Sequence, residues 1–386
     1  MMKTQSATQP TIAFVIDELE VGGSQRQLHL MATGLSRRGW RVQVICLQPI
    51  LAMAPDFADA GIPVRLIRKH AKLDVRLVAR LCRFFVHHQV EVVHPMSSTA
   101  EFFAGLAAQC CRIPFVASIR DANAALPPAH RLGKRLACSL ARAVVANSAA
   151  GARVAVAAGL VGADKVRVIP NGLVSHAPSL PREEMRRRLG LPAGATVALS
   201  VGRLVREKGY ELTLAVARHT GAWQPAPRFL IAGDGPLRDA LAQQIQAGGL
   251  AERVRLLGER RDIPALLAAA DVYLNTSVSE GLSNSIMEAM AAAVPVLAAA
   301  AGGTPELIRD GETGLLFPPG DLAAAVTKLD RLVADPDLRA RLGRQARRHV
   351  ETVFGCDAMV SQFEGLYRGF LEPSARHAAF PIENRL

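Results

Sequence analysis

Short apolar runs alternate with stretches of helical periodicity along this chain, and the alternation runs twice. In the first half, buried strands are expected at Thr11–Ile16, 41–47, 64–67, 90–94, 114–119, 142–146 and 166–169. Helical patterns lie between them; the first, ending near Arg38, places Leu28, Met31 and Leu35 at helical spacing. Residues 173–192 lose the pattern, with Pro178, Pro181, Pro192 and one charged helical piece at 182–189. The alternation then restarts, with strands expected at 196–202, 228–236 (this one with a Gly-rich end), 253–257, 271–275, 295–299 and 313–316, and helices at 320–333, 336–350 and 356–371. Strands alternating with helices form βαβ units and hence parallel sheets. The 386 residues therefore divide into two doubly wound α/β domains, 1–175 and 193–355. Residues 176–192 read as the linker and 1–10 as a disordered tail.

The unit at 271–299 is the most informative. Asp271 to Asn275 and Pro295 onward read as strands, and between them runs Ser279-Glu280-Gly281-Leu282-Ser283-Asn284-Ser285-Ile286-Met287-Glu288. In a parallel sheet such a loop sits at the carboxyl ends of the strands, where ligands bind. Gly281 lets a ligand approach the backbone closely. The N–H groups opening the following helix are unpaired and suit a phosphate. Glu280 would point at what the phosphate carries, or be a solvated loop acid. Glu288 could accept hydrogen bonds from a ribose diol, or close a capping box with Ser285.

Three more strand-end loops of the second half should meet at the same crevice. They carry Arg203 and Lys208, Gly233-Asp234-Gly235-Pro236, and Gly302-Gly303-Thr304-Pro305-Glu306. Two cations among glycines suit a diphosphate, Arg through a forked hydrogen-bond pair and Lys as a point charge. There is no D-x-D and no cluster with metal-ligand spacing, so no metal or other cofactor is expected. Arg203, Lys208 and backbone amides would then stabilise a departing diphosphate. In the first half, Gly22-Gly23 follows the first strand but lacks the G-x-G-x-x-G spacing of a dinucleotide site. His94 ends a strand, placed for a sugar hydroxyl or for a neighbouring backbone carbonyl. Arg120 and Asp121 end another, facing a ligand or paired with each other.

Charge narrows the partners. Residues 1–175 hold 21 lysines and arginines against 10 acids, whereas residues 176–386 hold 25 against 24. A one-sided basic surface suits an anionic membrane or a phosphorylated acceptor. At 64–88, arginines alternate with Leu73, Leu77, Leu81, Phe84 and Phe85, giving an apolar stripe with a basic flank. Such a helix lies on anionic lipid, or covers its own sheet with its basic face solvated. No aromatic stacking set accompanies the charge, so nucleic acid is not expected. The six cysteines show no C-x-x-C and no metal spacing, and no apolar run reaches the length of a membrane span or forms a signal peptide. A reduced, cytoplasmic protein is expected.

Taken in order, these motifs carry a family likeness. The Gly22-Gly23 loop, Ile169-Pro170-Asn171-Gly172, the run 201–209, Gly233-Asp234-Gly235-Pro236, the Glu280 to Glu288 segment, Pro295-Val296, Gly302-Gly303 with Glu306, and 311–321 follow one another as in one family. The chain resembles the retaining glycosyltransferases of family 4, which have the GT-B fold, over nearly all of residues 12–371. The resemblance implies two Rossmann-like domains facing a central cleft, with helix 356–371 crossing back to the first. It implies that Gly22 and Gly23 approach the donor phosphates and the acceptor. Arg203 and Lys208 would neutralise the diphosphate, with Gly233, Asp234, Gly235, Gly281, Leu282 and Ser283 around the donor. Glu280 would contact the donor sugar, Glu288 the ribose, and His94 the sugar from the other domain. Where many relatives have His, this chain has Arg120 followed by Asp121, which bears on sugar and acceptor preference.

The expected activity is metal-independent transfer of a sugar from a nucleotide-diphosphate sugar, a UDP-sugar by preference. The acceptor would be a hydroxyl of a lipid-linked or polysaccharide molecule, at the inner face of the cytoplasmic membrane. The alternatives are a sugar-nucleotide epimerase, a sugar-phosphate synthase, or a non-catalytic nucleotide-sugar-binding subunit.

Overall fold

The computed structural model describes residues 9–71, 73–120 and 128–372. The chain divides into two compact units, one formed by residues up to Gly172 together with those from Cys356 on, the other by Leu173–Gly355.

The first unit is built on β1 (Thr11–Ile16), β2 (Arg41–Cys46), β3 (Val64–Leu66), β4 (Val92–Pro95), β5 (Val116–Ile119), β6 (Ala143–Ala146) and β7 (Val166–Val168). All neighbours run parallel, in the orders β3-β2-β1-β4 and β5-β6-β7, with one bridge from Val93 to Phe115 joining the two sets. Strand β1 is buried along its whole length, as a parallel strand covered on both faces must be. Its side chains divide by the pleat. Ile12, Phe14 and Ile16 join Leu28, Leu35, Val360, Phe363 and Tyr367 on one face, and Ala13 and Val15 join Leu77, Leu81, Phe85 and Phe115 on the other. The last helix, Cys356–Leu371, is thus part of the first unit's core. It packs on helix Gly23–Arg37, where a Cβ on Gly34 would lie 2.5 Å from Val360.

The second unit is built on β8 (Val197–Val201), β9 (Arg228–Ala232), β10 (Val254–Gly258), β11 (Val272–Asn275), β12 (Val296–Ala299) and β13 (Leu315–Phe317). They form one parallel sheet in the order β10-β9-β8-β11-β12-β13. Alternate residues again face opposite cores: Leu199 and Tyr273 pack with Ile286 and Met290, and Ala198 and Leu274 with Leu214 and Leu329.

Residues 176–192 are not a linker throughout. Helix Arg182–Arg188 belongs to the second unit, where Met185 is buried and Arg182 and Arg186 donate to Asp271 at 2.6 and 3.2 Å. The run looks polar in sequence because its arginines are there to meet one buried-edge carboxylate and the carbonyls of Ala268, Ala269 and Ala270. Of the expected tail, residues 1–8 lie outside the described residues. In the basic stretch, Leu77, Leu81 and Phe85 of helix Val75–His87 cover the unit's own sheet, while Leu73, Val75 and Val86 are exposed. Among the described residues, no helix is long and apolar enough to cross a membrane.

Candidate active site

Each sheet changes winding direction once, between β1 and β4 in the first unit and between β8 and β11 in the second. Loops leaving the carboxyl ends of strands at such a point diverge and leave a crevice. In the second unit these are the loops after β8 and β11, and glycines let them, and the neighbouring loop after β9, pack backbone to backbone. A Cβ on Gly233 would lie 1.9 Å from the Gly202 carbonyl oxygen, and one on Gly209, at φ +60°, 2.3 Å from that of Thr276. Main-chain hydrogen bonds then tie the four loops together: Leu204 N to Asp234 O (2.9 Å), Val278 N to Glu207 O (2.9 Å) and Gly303 N to Glu280 O (3.2 Å).

Lys208 and Glu280, 72 residues apart, meet in this assembly, with Lys208 Nζ donating to Glu280 Oε1 at 2.6 Å. The same oxygen accepts from Ser277 Oγ at 2.7 Å and Asn275 Nδ2 at 3.4 Å. Glu280 is buried, and three donors hold one of its oxygens while Oε2 has no protein partner among the described residues. Ser277 N in turn donates to Asn275 Oδ1 (3.2 Å). Asn275 and Ser277 were missed in sequence, although a polar residue closing the apolar run of β11 was a signal for the first. Arg203 shares the loop with Lys208, is exposed, and makes no side-chain hydrogen bond or ion pair among the described residues. Gly281, Leu282 and Ser283 form the buried turn into helix Asn284–Ala291.

Glu288 lies in the second turn of that helix, partly exposed. The helix starts behind Ser283, so Ser285 is already inside it and the capping box with Glu288 is not formed. Tyr273 lies beneath both acids; its hydroxyl donates to Val201 O at 3.2 Å, and burial pushes its pKa up, with Glu280 and Glu288 adding to the rise. Asp234 is half-exposed and shapes its own loop, accepting from Gly235 N (2.7 Å) and pairing with Arg238.

In the first unit, Gly22 and Gly23 open helix Gly23–Arg37 just beyond β1, at the winding change. His94, expected near a sugar or on a backbone carbonyl, meets two side-chain hydroxyls instead of a carbonyl. It is fully buried, with Nδ1 on Tyr367 Oη at 2.5 Å and Nε2 on Ser118 Oγ at 2.8 Å, and Phe14 and Phe363 beside its ring. Burial, with the Arg120 charge adding, holds its pKa well below the ordinary value. Ser118 continues the network: its N–H donates to Glu101 Oε1 (2.8 Å), and Lys134 Nζ bridges Glu101 Oε2 (2.6 Å) and Ser118 O (2.5 Å). Arg120 ends β5 beside this network, and Asp121 lies outside the described residues. Asp17, passed over in sequence, follows β1 with Oδ1 buried and without a partner among the described residues, its pKa raised by burial.

Two parallel α/β units, each with loops gathered at its winding change, define a protein of the doubly wound, Rossmann-like class. Comparison with known proteins makes this specific. The family model "Glycosyltransferase Family 4" matches residues 21–175, and "Glycosyl transferases group 1" matches 181–349. The chain belongs to this glycosyltransferase family, and its fold is GT-B. It is 30% identical over 296 residues to the sulfoquinovosyl transferase SQD2 of Arabidopsis thaliana, covering 72% of this chain and 56% of that one. It is 37% identical over 171 residues to the lipopolysaccharide core biosynthesis glycosyltransferase LpsE of Rhizobium meliloti (strain 1021), covering 44% of this chain and 48% of that one. The matches thus span about half the length of these curated relatives. Among solved structures, Anabaena Alr3699/HepE in complex with UDP-glucose superposes with a TM-score of 0.83 at 26% identity, covering 93% of this chain and 99% of that one.

Proposed function

We propose that the protein is a retaining glycosyltransferase that moves a sugar from a UDP-sugar to a hydroxyl of a lipid-linked or polysaccharide acceptor in cell-surface glycan synthesis. The observation that carries this reading is the Lys208–Glu280 pair, set at the winding change of the second sheet with the exposed cation Arg203 in the same loop. Arg203, Lys208 and the amides of the Gly233-Asp234-Gly235 loop receive the diphosphate. The first turn of helix Asn284–Ala291 and the Gly281-Leu282-Ser283 turn approach it from the other loop. Glu280, with one oxygen held by three donors, presents the other to the donor sugar; Glu288 takes the ribose.

In the step we infer, the acceptor oxygen bonds to the anomeric carbon on the face from which the diphosphate departs. The bond from that carbon to phosphate oxygen breaks, and the departing phosphate oxygen takes the acceptor proton. Configuration is retained and no side chain forms a covalent intermediate. The negative charge that develops is met by fixed donors rather than by a divalent ion. His94 is reassigned to positioning Ser118 and Tyr367, and Arg120, with Asp121, stays on the acceptor side. UDP is favoured because a relative of 26% identity binds UDP-glucose, and a glycan acceptor because another acts in lipopolysaccharide core synthesis. Exposed Leu73, Val75 and Val86 among Arg65, Arg68, Arg76 and Arg83 support a peripheral place on the inner, anionic membrane face.

Thermal unfolding with UDP, GDP and ADP, each with excess EDTA, tests the donor site. UDP at about a hundred times its Kd should stabilise the protein by about 2.7 kcal/mol. Glu288→Ala should lose that response. Glu280→Gln should keep it while transfer from a UDP-sugar falls at least about a hundredfold. Absence of any response to all three nucleotides would remove the donor-site reading.

A further inference from the structure

The cysteines are not spread evenly. Cys46 and Cys138 are buried apart from one another and Cys356 opens the last helix, whereas Cys82, Cys110 and Cys111 come together at one seam of the first unit. Cys82 lies on helix Val75–His87; Cys110 ends helix Ser98–Cys110 and Cys111 caps it. The two helices pack side by side. Cys82 Sγ donates to Ala107 O at 3.5 Å and Cys111 Sγ to Cys82 O at 3.9 Å, so each thiol reaches across to the facing helix. The thiols of Cys111 and Cys110 both lie within hydrogen-bonding reach of Cys82.

Packing alone does not account for this grouping. A cysteine kept only as a small apolar residue is buried and inert, as Cys46 and Cys138 are. Cys82 and Cys111 are only half-buried and Cys110 is exposed, so solvent reaches the seam. Burial, with Cys111 and Cys110 beside it, pushes the Cys82 thiol up to about 12. Cys82 therefore gives up its proton reluctantly, and the first attack on a reagent from solvent falls to Cys111. A reachable thiol touching a sheltered one is the arrangement of an entry thiol with its resolving partner.

We infer that Cys82 and Cys111 form a reversible oxidation site, which a low-molecular-weight disulfide converts into a cross-link between the two helices. The Cys111 thiolate attacks one sulfur of the reagent RSSR; that S–S bond breaks, a mixed disulfide forms on Cys111 and RS⁻ departs. The Cys82 sulfur, its proton released, then attacks Cys111 Sγ and expels the second RS⁻. Each RS⁻ takes up a proton that a protein thiol has lost. Two protein thiols are thus oxidised to one disulfide while RSSR is reduced to two RSH. In a reducing compartment the pair stays open, and it closes as the ratio of disulfide to thiol rises. The bond would tie the helix bearing exposed Arg76 and Arg83 to the helix bearing Glu101 of the His94 network, across 29 residues of chain. This site stands apart from the sugar-transfer reading and does not depend on it.

The full chain, first reduced, is equilibrated with oxidised and reduced glutathione at rising ratio, quenched with acid, and read by intact mass and peptide mapping. The wild type should lose two hydrogen atoms, with the new bond between Cys82 and Cys111, and regain them in dithiothreitol. Cys110→Ser should form the same bond. Cys82→Ser should stop at the mixed disulfide and gain a glutathionyl group instead. Cys111→Ser should cross-link at least about tenfold more slowly. The oxidised wild type should melt several degrees above the reduced one, because the bond closes a loop in the unfolded chain, and Cys82→Ser should show no such rise. In dithiothreitol the variants should melt with the wild type, which separates lost chemistry from lost folding; should a serine variant melt low, the bond mapped in the wild type and in Cys110→Ser still decides. A wild type that carries only glutathionyl adducts, or a bond that maps to other cysteines, overturns the inference.

Discussion

His94 sits between Tyr367 at 2.5 Å and Ser118 at 2.8 Å, and a proton added to its ring would be buried and would face the Arg120 charge. Its folded pKa is therefore depressed below 6.5, while the unfolded chain protonates near that value. Below pH 6.5 the unfolded state binds the extra proton, so stability falls on acidification, by up to about 1.4 kcal/mol per pH unit, and is flat above that range. Urea unfolding from about pH 8 to about pH 5 should show this slope, and His94→Gln should be less stable at pH 8 yet lose part of the acid slope. An identical slope in the variant would place the titration elsewhere. The side-chain partners of His94 were not legible in sequence, for a plain reason. Its position at a strand end was legible, but its principal partner lies 273 residues away, and nothing local shows which way the ring points. Glu280 and Lys208 were legible because glycines and charges cluster at both ends of their contact; Asn275 and Ser277 were not, since one polar atom holding another leaves no spacing to find.

At the scale of elements, the site depends on loops whose backbones touch. Gly209 and Gly249 both sit near φ +60°, at +60° and +63°, but only Gly209 would drive a Cβ into another loop, whereas Gly249 faces open space. Substitution by Ala costs each about 1–2 kcal/mol for the left-handed backbone. Gly209→Ala adds a clash with the Thr276 carbonyl, so its Tm should fall several degrees below that of Gly249→Ala, and its UDP response should be lost while Gly249→Ala keeps its own. Calorimetry with and without UDP reads both. The strands themselves were legible to within two residues, because each is a short apolar run closed by a turn, except that β9 stops at Ala232, before the Gly-rich end assigned to it. The start of helix Asn284–Ala291 was not: Ser283 and Ser285 are equally plausible in sequence, and the choice between them follows from where the loop before it is pinned.

For the whole molecule, the decisive fact is that the first unit is discontinuous. Met359, Val360, Phe363 and Tyr367 complete a core begun by Ile12, Phe14 and Leu28. A chain ending at Gly355 should therefore expose that face and fail to unfold cooperatively in its first unit, while residues 173–355 alone should fold and, if the donor site is complete within them, keep the UDP response. Alternation and the linker-like gap made two units legible; the true seam after Gly172 was hidden because the arginine-rich helix 182–188 looks like linker in composition and is packed like core. The discontinuity also orders events on the ribosome. The first unit emerges first but is finished last, since its closing helix follows the entire second unit. At about 5–20 residues per second, its apolar face waits roughly ten to forty seconds, a window in which a chaperone would find it and a stalled or shortened transcript would leave it sticky.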